Sequence, residues 1–355
     1  MRSFNFKETK FYKMLHKDIK EFNSIVLSLL CISVLVGAGL LSYKINESYA
    51  IFTDVIKGEK VIEVTVAVPP ATQLLMAKVG QSGLEEVTHE ADSTLQIGTT
   101  EDITEYRFRG GNDVVTNNYV YFNCSDINNQ TSSTCELYRI IGVFPTDDGT
   151  GNIENRIKLI KATAYNDDNM YYWNTNGTNN WAEPATLNTE FNTTYYGTIN
   201  TSYQSLIGNS KYYLGGYNSS NIYTSAMYKY ERKTSGSDYY YSSNPNSWTG
   251  KMALMYASDY GYGTNSACSE STYFRSYDTC KDSNWLYSGF NEWIINQFPV
   301  KSSNVFGIAS TGFANYSDDD VDELSMSVRP VFYLTADAEF NDIGDGSLGN
   351  PYQLK

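Results

Sequence analysis

Apolar and polar positions fall into three textures along this chain. The first is a run of twenty uncharged residues, Ser24 to Tyr43 (SIVLSLLCISVLVGAGLLSY). At about 1.5 Å per residue it makes a helix of roughly 30 Å, the depth of a bilayer's hydrocarbon core. The second, Ile51 to about Thr100, has few aromatics and one apolar stretch, Val61 to Val68, closed by Pro69-Pro70; it reads as a stalk or lead-in strand. The third begins at Glu101, where apolar runs become short and are bounded by Asn, Gly, Ser and Asp clusters, the punctuation of strands. It predicts strands at Tyr119 to Phe122, Leu137 to Phe144, Ile157 to Ala162, Tyr212 to Leu214, Met252 to Tyr256, Val305 to Ile308 and Val328 to Leu334. Helices are expected at Ala185 to Tyr195, Ser202 to Ile207 and Ser288 to Ile295. The fold class expected is therefore α+β: a single N-terminal transmembrane helix, then a strand-rich, loop-rich extracellular domain.

The flanks of the apolar run orient it. Ahead of it lie Arg2, Lys7, Lys10, Lys13, Lys17 and Lys20 against Glu8, Asp18 and Glu21, and a basic flank stays cytoplasmic. The expected organisation is a cytoplasmic leader (1–23), a signal-anchor helix (24–43), a stalk or lead-in strands (44–105) and a Tyr/Asn-rich domain (106–355). The chain is then a single-pass membrane protein with its C-terminal domain outside. A cleaved signal peptide is the competing reading, since Val36-Gly37-Ala38 and Ser48-Tyr49-Ala50 offer small residues for a peptidase and cleavage releases a secreted domain.

Charge and cysteine usage fit the outer location. Taking the leader's six basic and three acidic residues from the chain's 26 and 40 leaves 20 against 37, a net charge of −17. Such a surface repels nucleic acid. Cys31 lies in the apolar run, and the remaining four form two close pairs in sequence. Spacing favours Cys124 with Cys135 and Cys268 with Cys280, out of three connectivities. A zinc site is disfavoured because there is no CxxC and His89 is the one histidine on the outer side.

Catalytic chemistry finds little support. A Ser-His-Asp or Cys-His arrangement would have to use His89, remote in sequence from every aromatic block, so no triad is expected. Glycoside hydrolysis needs only two acids, and Glu183, Glu190, Glu231, Asp259 and Glu292 sit in aromatic sequence. With 37 outer acids such pairings arise by chance, and salt bridges to Arg107, Arg139, Arg232 or Arg329 are the simpler expectation. No cofactor is expected. Structural calcium is the alternative, at Asp318, Asp319, Asp320 and Asp322, where clustered carboxylates offer hard oxygen ligands but lack EF-hand spacing.

Composition carries the functional expectation. From Glu101 onward the chain holds 28 of its 31 tyrosines, all five tryptophans and thirty asparagines. Tyr and Trp give contact area for little lost rotamer entropy, and Asn and Ser adapt their hydrogen bonds, so loops rich in them suit binding. Codon bias would also produce this richness. Trp173, Trp181, Tyr260, Tyr262, Trp285 and Trp293 are the candidates for a ligand platform, each with core packing as its rival role. Trp248 is assigned to packing and Arg329, beside Pro330, to a buried hydrogen-bonded pair. The expected partners are the membrane, through the N-terminal helix, and an extracellular carbohydrate or protein.

A set of blocks in fixed order adds a resemblance: YRFRGGNDVVTNNYVYFNC (from Tyr106), CELYRIIGVF (from Cys135), WNTNGTNNWAEPATLNTEFNTTYY (from Trp173), GKMALMYASDYGYGT (from Gly250) and SVRPVFYL (from Ser327). Together they resemble a recurrent surface domain of low-GC bacteria, a domain of unknown function. The Trp-containing loops followed by Val328-Arg329-Pro330-Val331 are similar to the closing strand of C-type-lectin-like and formylglycine-generating-enzyme-like domains. That resemblance implies a lectin-like fold; it does not carry the thiol chemistry, because the cysteines pair off. More locally, Ser48 to Asp54 (SYAIFTD) is similar to the start of secreted biofilm-fibre and camelysin-type proteins, which leaves a structural envelope or fibre subunit as the alternative function.

Overall fold

The computed structural model describes residues 71–355 apart from 77, 79, 81, 82, 112–114, 167, 168, 317–319 and 342. The leader, the apolar run 24–43 and the start of the stalk lie outside the described residues. Among the described residues no helix is long and apolar enough to cross a membrane. The described residues belong to one compact unit.

Its centre is an antiparallel sheet. A short helix α1 (Ala71–Met76) precedes β1 (Leu84–His89), β2 (Ile103–Phe108), β3 (Tyr119–Phe122), β4 (Glu136–Asp147) and β5 (Ile153–Lys161). With β8 (Met252–Ala253) and β12 (Val331–Tyr333) these strands make the order β1-β2-β4-β5-β12-β8, and β3 pairs with β4. The 44–105 stretch read as stalk or lead-in strands thus supplies β1, paired with β2 along its whole length. The longest pairing is the β4–β5 hairpin, whose turn is fixed by Asp147 Oδ1 accepting from Gly149 and Gly151 N–H and by Asp148 Oδ1 accepting from Thr150 N–H. Gly142 explains how β2 fits beside β4. A Cβ there would lie 2.1 Å from the Tyr106 carbonyl, and the β4–β5 register shifts between Ile140 and Gly142.

Over this sheet the chain lays short helices and two smaller sheets. Helix α2 (Thr186–Thr189) continues as a π-helical stretch, Glu190–Tyr195, and ends as Tyr196–Thr198; α3 (Thr201–Gln204) follows. Next come β6 (Ser210–Tyr213), α4 (Thr224–Glu231) and β7 (Ser247–Gly250), with β6 paired to β7. Helices α5 (Ala257–Tyr262) and α6 (Ser266–Ser271) and the 3-10 turns Phe274–Thr279 and Lys281–Ser283 lead to the third sheet, β9 (Glu292–Gln297), β10 (Val305–Ile308) and β11 (Ala314–Tyr316). Disulfides join Cys124 to Cys135 and Cys268 to Cys280, the pairing that spacing favoured. Two such bridges belong to a domain matured in an oxidising environment.

The strands expected at Tyr119 to Phe122 and Val305 to Ile308 appear at those positions. The helix expected at Ser288 to Ile295 does not form: that stretch enters β9. All six β9 residues are buried, so neither a period of two nor one of 3.6 shows in its apolar pattern. Its polar members are buried because they bond, with Glu292 holding Arg329 through two 2.8 Å contacts. The strand expected over Met252 to Tyr256 stops at Ala253, after which the chain turns into α5. Helix α4 was not anticipated. Its buried stripe, Thr224, Met227, Tyr228 and Glu231, has helical spacing, but two of the four are polar and hide it.

Candidate functional site

Two strands and two helices bring six charged side chains into the core. From β2, Glu105 and Arg107 are buried; β5 supplies Lys158, α4 ends in Glu231 followed by Arg232, and α5 carries Asp259. Asp259 accepts from Lys158 Nζ at 2.5 Å, from Arg107 Nη1 at 3.0 Å and from the Tyr256 N–H at 3.0 Å. Arg107 Nε also donates to Glu105. Glu231 accepts from Arg232 Nη1 (2.7 Å), from both the N–H and hydroxyl of Ser258 (2.9 and 2.5 Å) and from Asn296 Nδ2 (3.2 Å), the surroundings of an ionised carboxylate. Three acids thus meet three bases.

His89 Nε2 lies 2.9 Å from Glu105 Oε1, and its ring stacks on Tyr228 with centroids 3.4 Å apart. The Arg232 guanidinium lies 3.6 Å from the centroid of the same Tyr228 ring. Burial lowers the His89 pKa, with Arg107 and Arg232 acting in the same direction and Glu105 against it. Burial also pushes the Lys158 ammonium down to about 8, against the pull of Asp259. Burial by itself would raise the Asp259 carboxyl, but Lys158 and Arg107 outweigh it and hold the group below its ordinary value. At Glu231 burial wins over Arg232 and Ser258, and the carboxyl is raised.

Raised and lowered carboxyls side by side are the pattern of an acid–base pair, but the space is missing. The crevice that reaches Glu105 and Arg232, walled by Tyr213, Tyr228 and Tyr333, has a free volume of about 10 Å³, enough for a single water. The cluster is fitted to hold β2, β5, α4 and α5 together.

Open space lies a few residues further along the chain. Leaving α4, residues 234–246 form a surface loop enclosing a depression of about 280 Å³, lined by Ser, Thr and Asn side chains and by Tyr240, with no charged side chain. Beside it Tyr217, Tyr230 and Tyr239 are half-buried and pack ring against ring, with Tyr217–Tyr230 centroids 4.5 Å apart and Tyr230–Tyr239 centroids 4.9 Å apart. A second stacked pair, Tyr223 and Tyr273, stands at 4.3 Å on the surface.

The residues proposed from sequence as a ligand platform fall elsewhere. Trp173, Trp181, Trp293, Tyr260 and Tyr262 are buried, with Trp173, Trp293 and Tyr260 fully so, and they form no surface in this structure. Trp173 donates to the Ile294 carbonyl, Trp293 to that of Tyr171 and Tyr260 to that of Gly312. Tyr262 faces the Arg107 guanidinium, 4.8 Å from its ring centroid. Trp285 is half-buried, capped by Arg139 at 4.4 Å, and donates to the Phe108 carbonyl. Trp248 packs against Trp181 and Tyr212. Of the acids weighed for hydrolysis, Glu231, Asp259 and Glu292 are buried in ion pairs, Glu190 accepts from the Tyr165 hydroxyl, and Glu183 is exposed.

Of the calcium candidates, Asp318 and Asp319 lie outside the described residues, Asp320 accepts from Lys301 and Ser303, and Asp322 is exposed. Among the described residues no group of three or more acids, histidines or cysteines is gathered for a metal. The tyrosines of residues 217–239 were not among the sequence candidates; for Tyr217, Tyr223 and Tyr239 the signal was in view, since they sit in segments rich in Ser, Asn and Gly where no core strand was expected. No protein-family model, no curated protein and no solved structure matches this chain.

Proposed function

We propose that this chain is a membrane-anchored surface protein of binding or adhesion type, whose outer domain meets a carbohydrate or a protein through its tyrosine- and asparagine-rich loops. The observation that supports it most is the half-exposed Tyr217–Tyr230–Tyr239 cluster beside an uncharged polar depression. Aromatic rings left at the surface, held by one another and next to convergent hydroxyls and amides, are the composition of binding sites. The two disulfides add that the domain matures where extracellular proteins do. A C-type-lectin-like fold belongs to the same proposal, with the Ser327–Leu334 segment contributing β12 to the principal sheet. Hydrolysis by paired carboxylates is the weaker reading, because Asp259, Glu231 and Glu292 are each neutralised by a buried cation.

The test is binding of the oxidised full chain, in mild detergent, to an array of glycans and cell-wall polysaccharides, with calcium and with chelator. A saturable signal from monodisperse protein is expected. A blank array together with concentration-dependent growth in light scattering would instead favour the envelope or fibre subunit, a reading to which the edge position of β1 among the described strands lends itself.

A further inference from the structure

Resting on that reading, we infer that the 234–246 depression is a calcium-independent subsite for one uncharged sugar residue, with the Tyr239 ring, which lies against Gly236 of its lining, as the neighbouring stacking surface. Three observations converge. The first is chemical: in a chain with 40 acidic and 26 basic residues, the lining is hydroxyls and amides without a charge. A ligand with many hydroxyls and no ionised group is what such a lining matches, since an ionic ligand would be desolvated without a counter-charge. The volume of about 280 Å³ lies just under the usual range of about 300–1,000 Å³ for small-molecule pockets, which suits a single ring at a chain end.

The second is preorganisation. Asn244 Nδ2 donates to Asn179 Oδ1 (2.8 Å) and Gln297 Oε1 (3.1 Å), Asn246 Nδ2 donates to the Thr234 carbonyl (2.7 Å), and the Tyr240 hydroxyl donates to the Lys233 carbonyl. The main chain is pinned as well. Gly216 N–H donates to the Tyr239 carbonyl, Leu214 N–H to that of Asn246, and Tyr241 N–H to the Gln297 side chain. Each amide is held in one orientation before any ligand arrives, so little ordering is left to oppose binding. The hydroxyls of Ser235 and Ser237, by contrast, stand on exposed residues, free to turn toward a ligand.

The third is the aromatic edge. Gly236 has φ +132°, and a Cβ on it would lie 2.8 Å from Tyr239 Cδ2, so the absence of a side chain lets the ring lie across the loop. Tyr230 and Tyr217 back that ring from the other elements. The C–H face of a pyranose is apolar and packs on such a ring while its hydroxyls reach the amides.

The test is a titration of the oxidised full chain in micelles with the methyl glycosides of glucose, galactose and N-acetylglucosamine, followed by saturation-transfer NMR. Saturable transfer in chelator is expected for at least one, with a Kd on the order of millimolar, as for any small ligand at one subsite. Ser235→Trp fills the depression from an exposed position and should weaken binding about tenfold or more with an unchanged thermal midpoint. Tyr239→Ala should weaken it by about three- to tenfold, while Tyr239→Phe keeps the ring and the affinity. Sugar binding that survives Ser235→Trp overturns the subsite but leaves the binding-module reading standing. Absence of transfer from all three glycosides, with polysaccharide capture on the array intact, does the same. Absence of both overturns the subsite and the reading beneath it.

Discussion

Arg232 and Ser235 are three residues apart and occupy opposite environments. Arg232 is buried against Tyr228 and Glu231 at the end of α4, while Ser235 is exposed in the loop that follows. The two regions on either side of that boundary use tyrosine in different ways. In the core, Tyr228, Tyr256 and Tyr333 cover the faces of buried cations: Lys158 Nζ lies 4.2 Å from the Tyr256 centroid and 5.2 Å from that of Tyr333. At the surface, Tyr217, Tyr230 and Tyr239 pack on one another and stay half-buried. A tyrosine-rich composition therefore does not announce a binding surface. The same residue type lines buried charges in one region and packs ring on ring at the surface in the other.

That contrast can be broken most sharply at Asp259. Asp259→Ala leaves Lys158 and Arg107 buried without their shared partner, and a loss of about 3–5 kcal/mol in denaturant unfolding is expected; a loss below about 1 kcal/mol would mean the cluster does not hold the core. Tyr228→Ala should cost a comparable amount, roughly 3–5 kcal/mol, because it empties the space between His89 and Arg232. Replacing Cys268 and Cys280 together by Ser should cost about 2–3 kcal/mol through loop closure alone, with the depression at 234–246 unaffected.

Acidification acts on the buried cluster through groups of opposite sign. Unfolded, His89 titrates near 6.5; folded, it faces Glu105, Arg107, Arg232, Tyr228 and Tyr262, and its pKa lies lower. At His89, in the window just below pH 6.5, the unfolded chain binds more protons, so its contribution is full above that window and falls as the pH drops through it, while the raised Glu231 carboxyl acts in the opposite direction. The depressed carboxyls Glu105 and Asp259 lose their contribution only at more acid pH, beginning near their unfolded values. His89→Gln should flatten the unfolding midpoint between pH 5 and 7, and a wild-type midpoint unchanged over that range would remove His89 from the account. The smallest effect is expected at the surface: Tyr239→Ala should change stability by less than about 1 kcal/mol, since its ring is half-exposed.

Much of the scaffold was legible in the chain. Tyr119 to Phe122 and Val305 to Ile308 are strands where short apolar runs between turn residues said so, and the two disulfides follow their spacing. Arg329 makes the buried pair expected of an arginine beside Pro330 in the last apolar segment. What the sequence determined by itself was local: where runs begin and end, which cysteines can meet, and that the mixed α+β domain is built from short strands. Only the tertiary structure decided β9 and α4, because burial on all sides erases periodicity and polar members are admitted to the core once their bonds are satisfied. It also decided which tyrosines and tryptophans face solvent. Side-chain chemistry is the same at Tyr228 and Tyr239, and the difference lies in what packing places against each ring, His89 and Arg232 in one case and Tyr217, Tyr230 and Gly236 in the other.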